Sequence, residues 1–373
     1  MKIGFDAKRA FFNNTGLGNY SRDTIRIVGS YFSQNEYHLY TPKNIQNNRL
    51  NFLKGQSQYH IHEPQTFVYK IFKSLWRTFG LKKDLEKDEL NLFHGLSHEI
   101  PLGIQNTKIK SIVSIHDLIA IRFPQYFKHF DRISYINKSK YACQHADKII
   151  AVSQQTKKDI IRFFNVDERK IEVVYQGCNT IFQSQLPNNY KNEIITKYQL
   201  DSKYLLYVGT IEERKNLLTV LKCLKELPDY NLVVIGSGGK YKQKCLSYIK
   251  KNNLTSQITF LSKLDLKEMA AIYQKAELMI YPSFFEGFGI PILEALFSET
   301  PVITTLGGCF SEAGGPSSSY INPSNVEEMK SEIVDICTNQ SRRKKMIEDG
   351  KIHAQKFTDD KIAKELIKVY QSI

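Results

Sequence analysis

No apolar run in this sequence approaches the roughly 18 residues that a membrane-spanning helix needs, so no span is expected. No Cys-x-x-Cys occurs either: Cys143, Cys178, Cys223, Cys245, Cys309 and Cys337 are scattered along the chain. Scattered cysteines and a start without a secretory pattern point to reduced thiols in a cytoplasmic protein, with no cysteine-held zinc. Acidic residues are the scarcer charge, 38 against 52 Lys and Arg, which leaves a formal net charge of +14. That balance favours phosphorylated ligands, anionic membrane surfaces or nucleic acid. No zinc-finger or RNP-like run is present, so no nucleic-acid partner is expected. The six-position glycine fingerprint of dinucleotide enzymes is missing after the first strand, which argues against nicotinamide chemistry. No Asp-x-Asp stands at a suitable strand end, so no metal ligand is assigned and no prosthetic group is expected.

What is there suits two domains of ordinary size: 373 residues, 42% hydrophobic and 24% charged. The most informative stretch is 276–305, AELMIYPSFFEGFGIPILEALFSETPVITT. Leu278 to Tyr281 reads as a buried strand. Pro282, Ser283, Gly287 and Gly289 mark a turn. Pro291 sits where a first helical turn tolerates proline, and Ile292, Leu293 and Leu296 give that helix an apolar face. Pro301 to Thr305 is a second strand, so the unit is a βαβ crossover. Open parallel sheets bind ligands at the carboxyl ends of their strands. The loop's glycines admit close backbone approach, and the helix start offers N–H groups to an anion. Glu286 stands in that loop and Glu294 inside the helix. Two carboxylates beside a phosphate site make sense where they address hydroxyl groups on either side of it. As a lone pair they read first as a solvated turn residue and an exposed helix residue, and only the surrounding motif favours the functional reading.

The run PSFFEGFGIPILEAL closely resembles the signature of the retaining family 4 glycosyltransferases, which have the GT-B fold. Three further segments carry the same resemblance. IHDLIAIRFPQYF contains His116, which matches the family histidine that reaches the donor sugar near the reacting carbon. HADKIIAVSQQTKKDI is the second. YVGTIEERKNL, the third, is similar to the family's donor-binding segment; many members carry Arg directly after its glycine, where this chain has Thr210. That leaves Arg214 and Lys215 as the cations for a diphosphate, the first by forking two oxygens and the second as a point charge. A Pro-Glu dipeptide usual after the βαβ unit reads Ser311-Glu312 here.

The resemblance implies an α/β chain of two facing Rossmann-like domains, residues 1–180 and 204–356, joined by a linker at 181–203. A C-terminal helix in 357–373 is expected to return to the first domain. It implies a nucleotide-diphosphate sugar as co-substrate, bound mostly by the second domain. His116, Glu286, Arg214 and Lys215 would be catalytic. Gly16, Arg214, Lys215, Leu264, Gly287, Phe288, Gly289, Ile290 and Glu294 would bind the donor, with backbone groups near Leu264 reading the base. The HDL and AVS segments look most like mannosyltransferases, so GDP-mannose is the expected donor and UDP-sugars the alternative. The acceptor would be a glycan or lipid-linked glycan in cell-surface polysaccharide assembly. A nucleotide-sugar 2-epimerase or a non-catalytic partner subunit could share the fold.

Along the rest of the chain, strands are expected at Lys2–Asp6, Tyr37–Tyr40, Tyr59–His62, Leu92–Gly95, Lys110–Ile115, 146–152 and 171–176, then at 204–208, 232–236 and Ile258–Leu261. A glycine-rich loop at 13–20 precedes a helix from about Tyr20. Residues 68–83, VYKIFKSLWRTFGLKK, read as one amphipathic helix. Val68, Ile71, Phe72, Leu75, Trp76 and Phe79 fall on one face, and Lys70, Lys73, Arg77, Lys82 and Lys83 elsewhere, with no acid among them. Either that face packs into the domain or it lies on an anionic membrane, on the inner face of the plasma membrane.

Overall fold

The computed structural model describes residues 1–373 and divides into two compact units. The first comprises Met1–Gly177 and Asp359–Ile373, the second Cys178–Thr358. Each is built on a parallel sheet.

The first unit has seven strands: β1 (Lys2–Asp6), β2 (Glu36–Tyr40), β3 (Tyr59–His62), β4 (Leu92–Gly95), β5 (Lys110–Ile115), β6 (Lys148–Ala151) and β7 (Ile171–Val173). Their order is β3-β2-β1-β4-β5-β6-β7, every pair parallel. Strand order reverses between β1 and β4, which makes their carboxyl ends the switch point where such sheets bind ligands. The central strands are nearly continuous in apolar residues because helices cover both faces. The C-terminal helix Asp359–Gln371 belongs to this unit. Its Asp359 pairs with Arg26 of the helix Gly16–Tyr31 at 2.6 Å, and its Tyr370 hydroxyl meets His94 Nδ1 at 2.8 Å.

The second unit has six strands: β8 (Leu205–Val208), β9 (Leu232–Ile235), β10 (Ile258–Leu261), β11 (Leu278–Tyr281), β12 (Val302–Thr305) and β13 (Ser319–Ile321). The order β10-β9-β8-β11-β12-β13 places its switch point between β8 and β11. Leu205, Tyr207, Leu217, Val220, Leu221, Leu278, Ile280 and Ile303 are among the buried side chains of its core. Two Rossmann-like units with the terminal helix in the first are the architecture that the sequence resemblance implies. Residues 181–203, expected as a linker, hold a 3-10 turn at Thr180–Gln183 and a helix at Asn188–Lys197, both within the second unit.

Two local expectations need correction. Gly16 is not in a loop: it is the first residue of the helix Gly16–Tyr31. The segment 68–83 is not one helix. It breaks at Phe72, whose φ of −95° and ψ of 64° are not helical, and continues through a π-type turn at Trp76–Gly80 into a helix at Leu81–Lys87. Trp76 is 1% exposed and donates its indole N–H to Asp84 at 2.6 Å, so it cannot face a lipid surface. Arg77 is also turned inward, paired with Asp6 and, at 3.2 Å, with Glu99. Phe67, Val68, Ile71, Phe72, Leu75 and Phe79 remain exposed.

Candidate active site

The second unit's switch point gathers the charged residues. After β8 the chain turns at Gly209, whose φ of +143° suits glycine. A Cβ there would meet the Lys215 side chain at 3.3 Å. The 3-10 turn Glu213–Lys215 then carries both cations. It ends at Asn216 in the left-handed region, φ +60°. The Asn216 amide donates to the carbonyls of Pro323 at 2.7 Å and Pro282 at 3.3 Å, tying this loop to the one after β11. A backbone bond from Phe284 N to Arg214 O, 2.9 Å, ties it again.

Glu286 stands in the loop after β11 and is clamped by both cations. Its Oε1 lies 2.8 Å from Arg214 and 2.7 Å from Lys215 Nζ, and it accepts from the Tyr281 hydroxyl at 3.0 Å. Lys215 Nζ also donates to that hydroxyl at 2.8 Å. Arg214 has two more partners, the Phe285 carbonyl at 2.6 Å and the Glu212 carboxylate at 2.5 Å. Burial pushes the Glu286 carboxyl up, but the Lys215 and Arg214 charges outweigh it and hold its pKa at about 2. Burial lowers the Arg214 pKa while Glu286 and Glu212 raise it, and the net shift is upward. Burial and then the Glu286 charge push the Tyr281 phenol well above its ordinary value, so it stays a hydrogen-bond donor. Arg214, Lys215 and Glu286, with the neutral Tyr281 hydroxyl between them, therefore form one ion-paired cluster at the ends of the two switch-point strands.

Gly289 has a φ of +121°, and the helix Ile290–Phe297 begins directly after it, with Pro291 in its first turn. Gly287 is partly exposed in the loop. Phe288 is buried against Phe357, ring centroids 5.7 Å apart. Glu294, on the same helix, is 8% exposed and accepts from the Tyr273 hydroxyl at 2.8 Å. Leu264 follows Lys263, a left-handed residue with φ +59°, just beyond β10.

The first unit's strand ends carry the Asp6–Arg77 ion pair at the end of β1 and buried histidines after β4 and β5. His116 follows β5 and is 5% exposed. Its Nε2 faces the Leu96 carbonyl at 2.9 Å and must donate; its Nδ1 then accepts from the Gln176 amide at 3.3 Å. Tyr20, on the helix that Gly16 begins, packs edge-on against it at 4.5 Å. Burial and then the neighbouring His98 hold the His116 pKa at about 3. His94 bridges Ser114 and Tyr370, and burial holds its pKa at about 3 too. His98 is buried against Tyr135 with φ +65°, a strained position for a non-glycine residue. A Cβ at Gly16 would meet nothing within 4 Å, so this helix start lies open.

Sequence reasoning missed Tyr281 and Asn216. Tyr281 had a signal, as the last residue of an apolar strand that enters the glycine-rich loop. Asn216 had only its place after two cations.

Comparison with known proteins bears on what such a cluster does. Residues 191–353 match the family model described as "Glycosyl transferases group 1", and residues 33–182 that described as "Glycosyltransferase Family 4". The chain is 26% identical to O-antigen chain mannosyltransferase B of Escherichia coli over 287 residues, 75% of this chain and 74% of that one. It is 30% identical to O-antigen chain mannosyltransferase RfbU of Salmonella typhimurium over 241 residues, 64% and 63% of the two. Among solved structures, Anabaena HepE in complex with UDP-glucose superposes with a TM-score of 0.78 at 14% identity, covering 100% of both chains. At that identity the likeness shows the fold.

Proposed function

This chain is a family 4 glycosyltransferase with the GT-B fold, and from that premise we propose that it moves a hexose, mannose from GDP-mannose, to a glycan or lipid-linked glycan with retained configuration. The observation that carries the proposal is the ionised cluster of Arg214, Lys215 and Glu286 at the β8/β11 switch point. Transfer breaks the bond between the sugar's anomeric carbon and the diphosphate, and forms one to an acceptor hydroxyl. Negative charge grows on the leaving diphosphate, and two preorganised cations stabilise that charge where it develops. The acceptor's proton passes to a leaving phosphate oxygen, so no protein nucleophile is needed. Glu286 aims both cations and addresses the sugar's hydroxyls; Glu294 holds the ribose hydroxyls, exchanging its Tyr273 bond for them or sharing it. Backbone groups at Gly287, Phe288, Gly289 and Ile290 line the donor and those near Leu264 read the base; the roles of Gly16 and His116, in the first unit, rest on the family resemblance alone.

Mannose is favoured because the two relatives above are named as mannosyltransferases; their O-antigen role supports polysaccharide assembly as the setting. The UDP-glucose bound to HepE keeps UDP-hexoses as the second donor reading. Because two cations balance the diphosphate, transfer proceeds without a divalent metal. The test is a panel of nucleotide sugars offered with lipid-linked glycan acceptor in excess chelator. GDP-mannose should be consumed only with acceptor present. Consumption of a UDP-hexose instead overturns the donor, consumption without acceptor favours the epimerase, and rescue by added magnesium overturns metal independence.

Peripheral contact with an anionic membrane at the cytoplasmic face is supported by the first unit's exposed Phe67, Val68, Ile71, Phe72, Leu75 and Phe79. Lys70 and Lys73 lie between them, and no acid occurs from Pro64 to Lys83. Each such cation contributes about 1 kcal/mol near an anionic surface, which gives weak, salt-sensitive attachment. No helix is long and apolar enough to cross a membrane. Vesicle sedimentation should require anionic lipid and weaken in the Lys70→Gln, Lys73→Gln double variant. Absence of sedimentation at low salt overturns the contact.

A further inference from the structure

The edge of the first unit's sheet carries a histidine cluster that the transfer reaction does not use. β2 and β3 run in register, His38 opposite His60 and Tyr40 opposite His62. The strand period of two puts Glu36 and His38 on the same face of β2, and His60 and His62 on that face of β3. His38 is 7% exposed. Its Nδ1 lies 3.0 Å from His62 Nε2. His62 Nδ1 lies 3.3 Å from the Asp88 carboxylate, which also accepts from the Tyr40 hydroxyl at 2.6 Å. One set of protons satisfies the whole chain: His62 Nδ1–H donates to Asp88, and His38 Nδ1–H donates to His62 Nε2. The lone pair of His38 then sits on Nε2. That atom is buried and has no hydrogen-bond partner. A buried polar atom left so is destabilising unless something else satisfies it. Around it, Glu36, His38 and His60 each place a ligand atom within 4.8 Å of the other two.

We propose that Glu36, His38 and His60 bind a divalent transition-metal ion of the zinc class, with His38 Nε2 as the buried anchor and His62 and Asp88 as its outer support. Two imidazoles and a carboxylate are a ligand set for zinc or cobalt, unlike the all-oxygen sets of magnesium and calcium. A histidine ligand whose second nitrogen is fixed through a hydrogen-bonded carboxylate is the arrangement that orients imidazole toward a metal. His38, His62 and Asp88 also cluster, but their facing atoms are taken up by one another, which selects the first set. Glu36 and His60 are exposed, so their side chains can close on the ion by rotation, and water completes the coordination. The ion would pin edge strand β3 to β2, a structural clasp outside the donor site.

The test uses the full chain, stripped with chelator and then titrated with zinc. One zinc per chain should bind and raise the thermal midpoint by several degrees, as any ligand specific to the folded state does. Cobalt in its place should show visible absorption of an imidazole–carboxylate site. The His60→Gln and Glu36→Gln variants change exposed side chains, so they should fold as the parent does. Each should lose about tenfold or more in zinc affinity, together with the midpoint shift. The His129→Gln variant, an exposed histidine elsewhere, should lose neither. Transfer by the His60→Gln variant at moderate temperature should match the parent, which keeps this result separate from the fate of the transferase reading. No zinc bound by the parent chain, or equal zinc bound by the His60→Gln and Glu36→Gln variants, overturns the proposal.

Discussion

At the end of β5 in the first unit, His116 is buried, neutral and held by a carbonyl and an amide. At the end of β11 in the second, Glu286 is ionised and held by Arg214 and Lys215. Both positions are the carboxyl ends of parallel strands, yet one environment removes charge and the other concentrates it. Desolvation acts on both. For His116 no carboxylate in its environment overcomes burial, so the imidazole loses its proton. For Glu286 two cations outweigh burial, so the carboxylate persists. The comparison teaches that the sheet topology supplies the place, while the neighbours brought in by adjacent loops decide the chemistry.

The sharpest way to break this contrast is to remove a cation from the charged side. Lys215→Met should lower turnover about 100-fold or more, the scale of losing one preorganised charge partner of a transition state. Glu286 keeps Arg214 in that variant, so folding should survive; steady-state kinetics beside a thermal melt checks both. A smaller loss, about tenfold in donor KM with kcat little changed, is expected for Glu294→Gln, because ribose contacts act in ground and transition state alike. Glutamine keeps an oxygen for the Tyr273 hydroxyl, which limits the cost in stability.

Acid separates the two units most gently. His94, His98 and His116 all have native pKa values lowered to about 3, chiefly by burial. Unfolded histidine titrates at about 6.5, so below that pH the unfolded chain binds protons that the native first unit refuses. Stability should therefore fall as pH drops from about 6.5 toward 3, by up to about 1.4 kcal/mol per pH unit for each such histidine. Glu286 has the opposite origin: its native pKa is depressed, so its contribution persists down to about 4.5 and is lost only as pH falls toward 2. Hydrogen exchange at stepped pH should show the first unit loosening before the second. Simultaneous loss, or loss of the second unit first, counts against this contrast.

The strands at Lys2–Asp6, Leu92–Gly95, Lys110–Ile115, Ile258–Leu261 and Leu278–Tyr281 were legible in full, because a covered parallel strand needs an apolar run and a turn signal, both local; the edge strand Tyr59–His62 was legible from its aromatic and β-branched residues despite being largely exposed. The helix Asn188–Lys197 was not: only Lys191 and Ile194 are buried on it, too few to mark a periodic face. The segment 68–83 misled for a different reason. Its helical period is real, but Arg77 is drawn to Asp6 and Glu99, partners 71 and 22 positions away. At the site, the loop of Glu286 and the cations after β8 could each be read locally. Their union could not, since 71 residues separate Arg214 from the Phe285 carbonyl it meets.

The role proposed for Glu286 is to organise two cations for charge that develops in transfer, rather than merely to neutralise them. The Glu286→Gln variant separates these roles. Removing the carboxylate leaves Arg214 and Lys215 with less competing negative charge, so the nucleotide diphosphate should bind as tightly as before or more tightly. The transfer rate in a single turnover should nonetheless fall about 100-fold or more. Wild-type transfer by Glu286→Gln, whatever its donor affinity, would contradict the account.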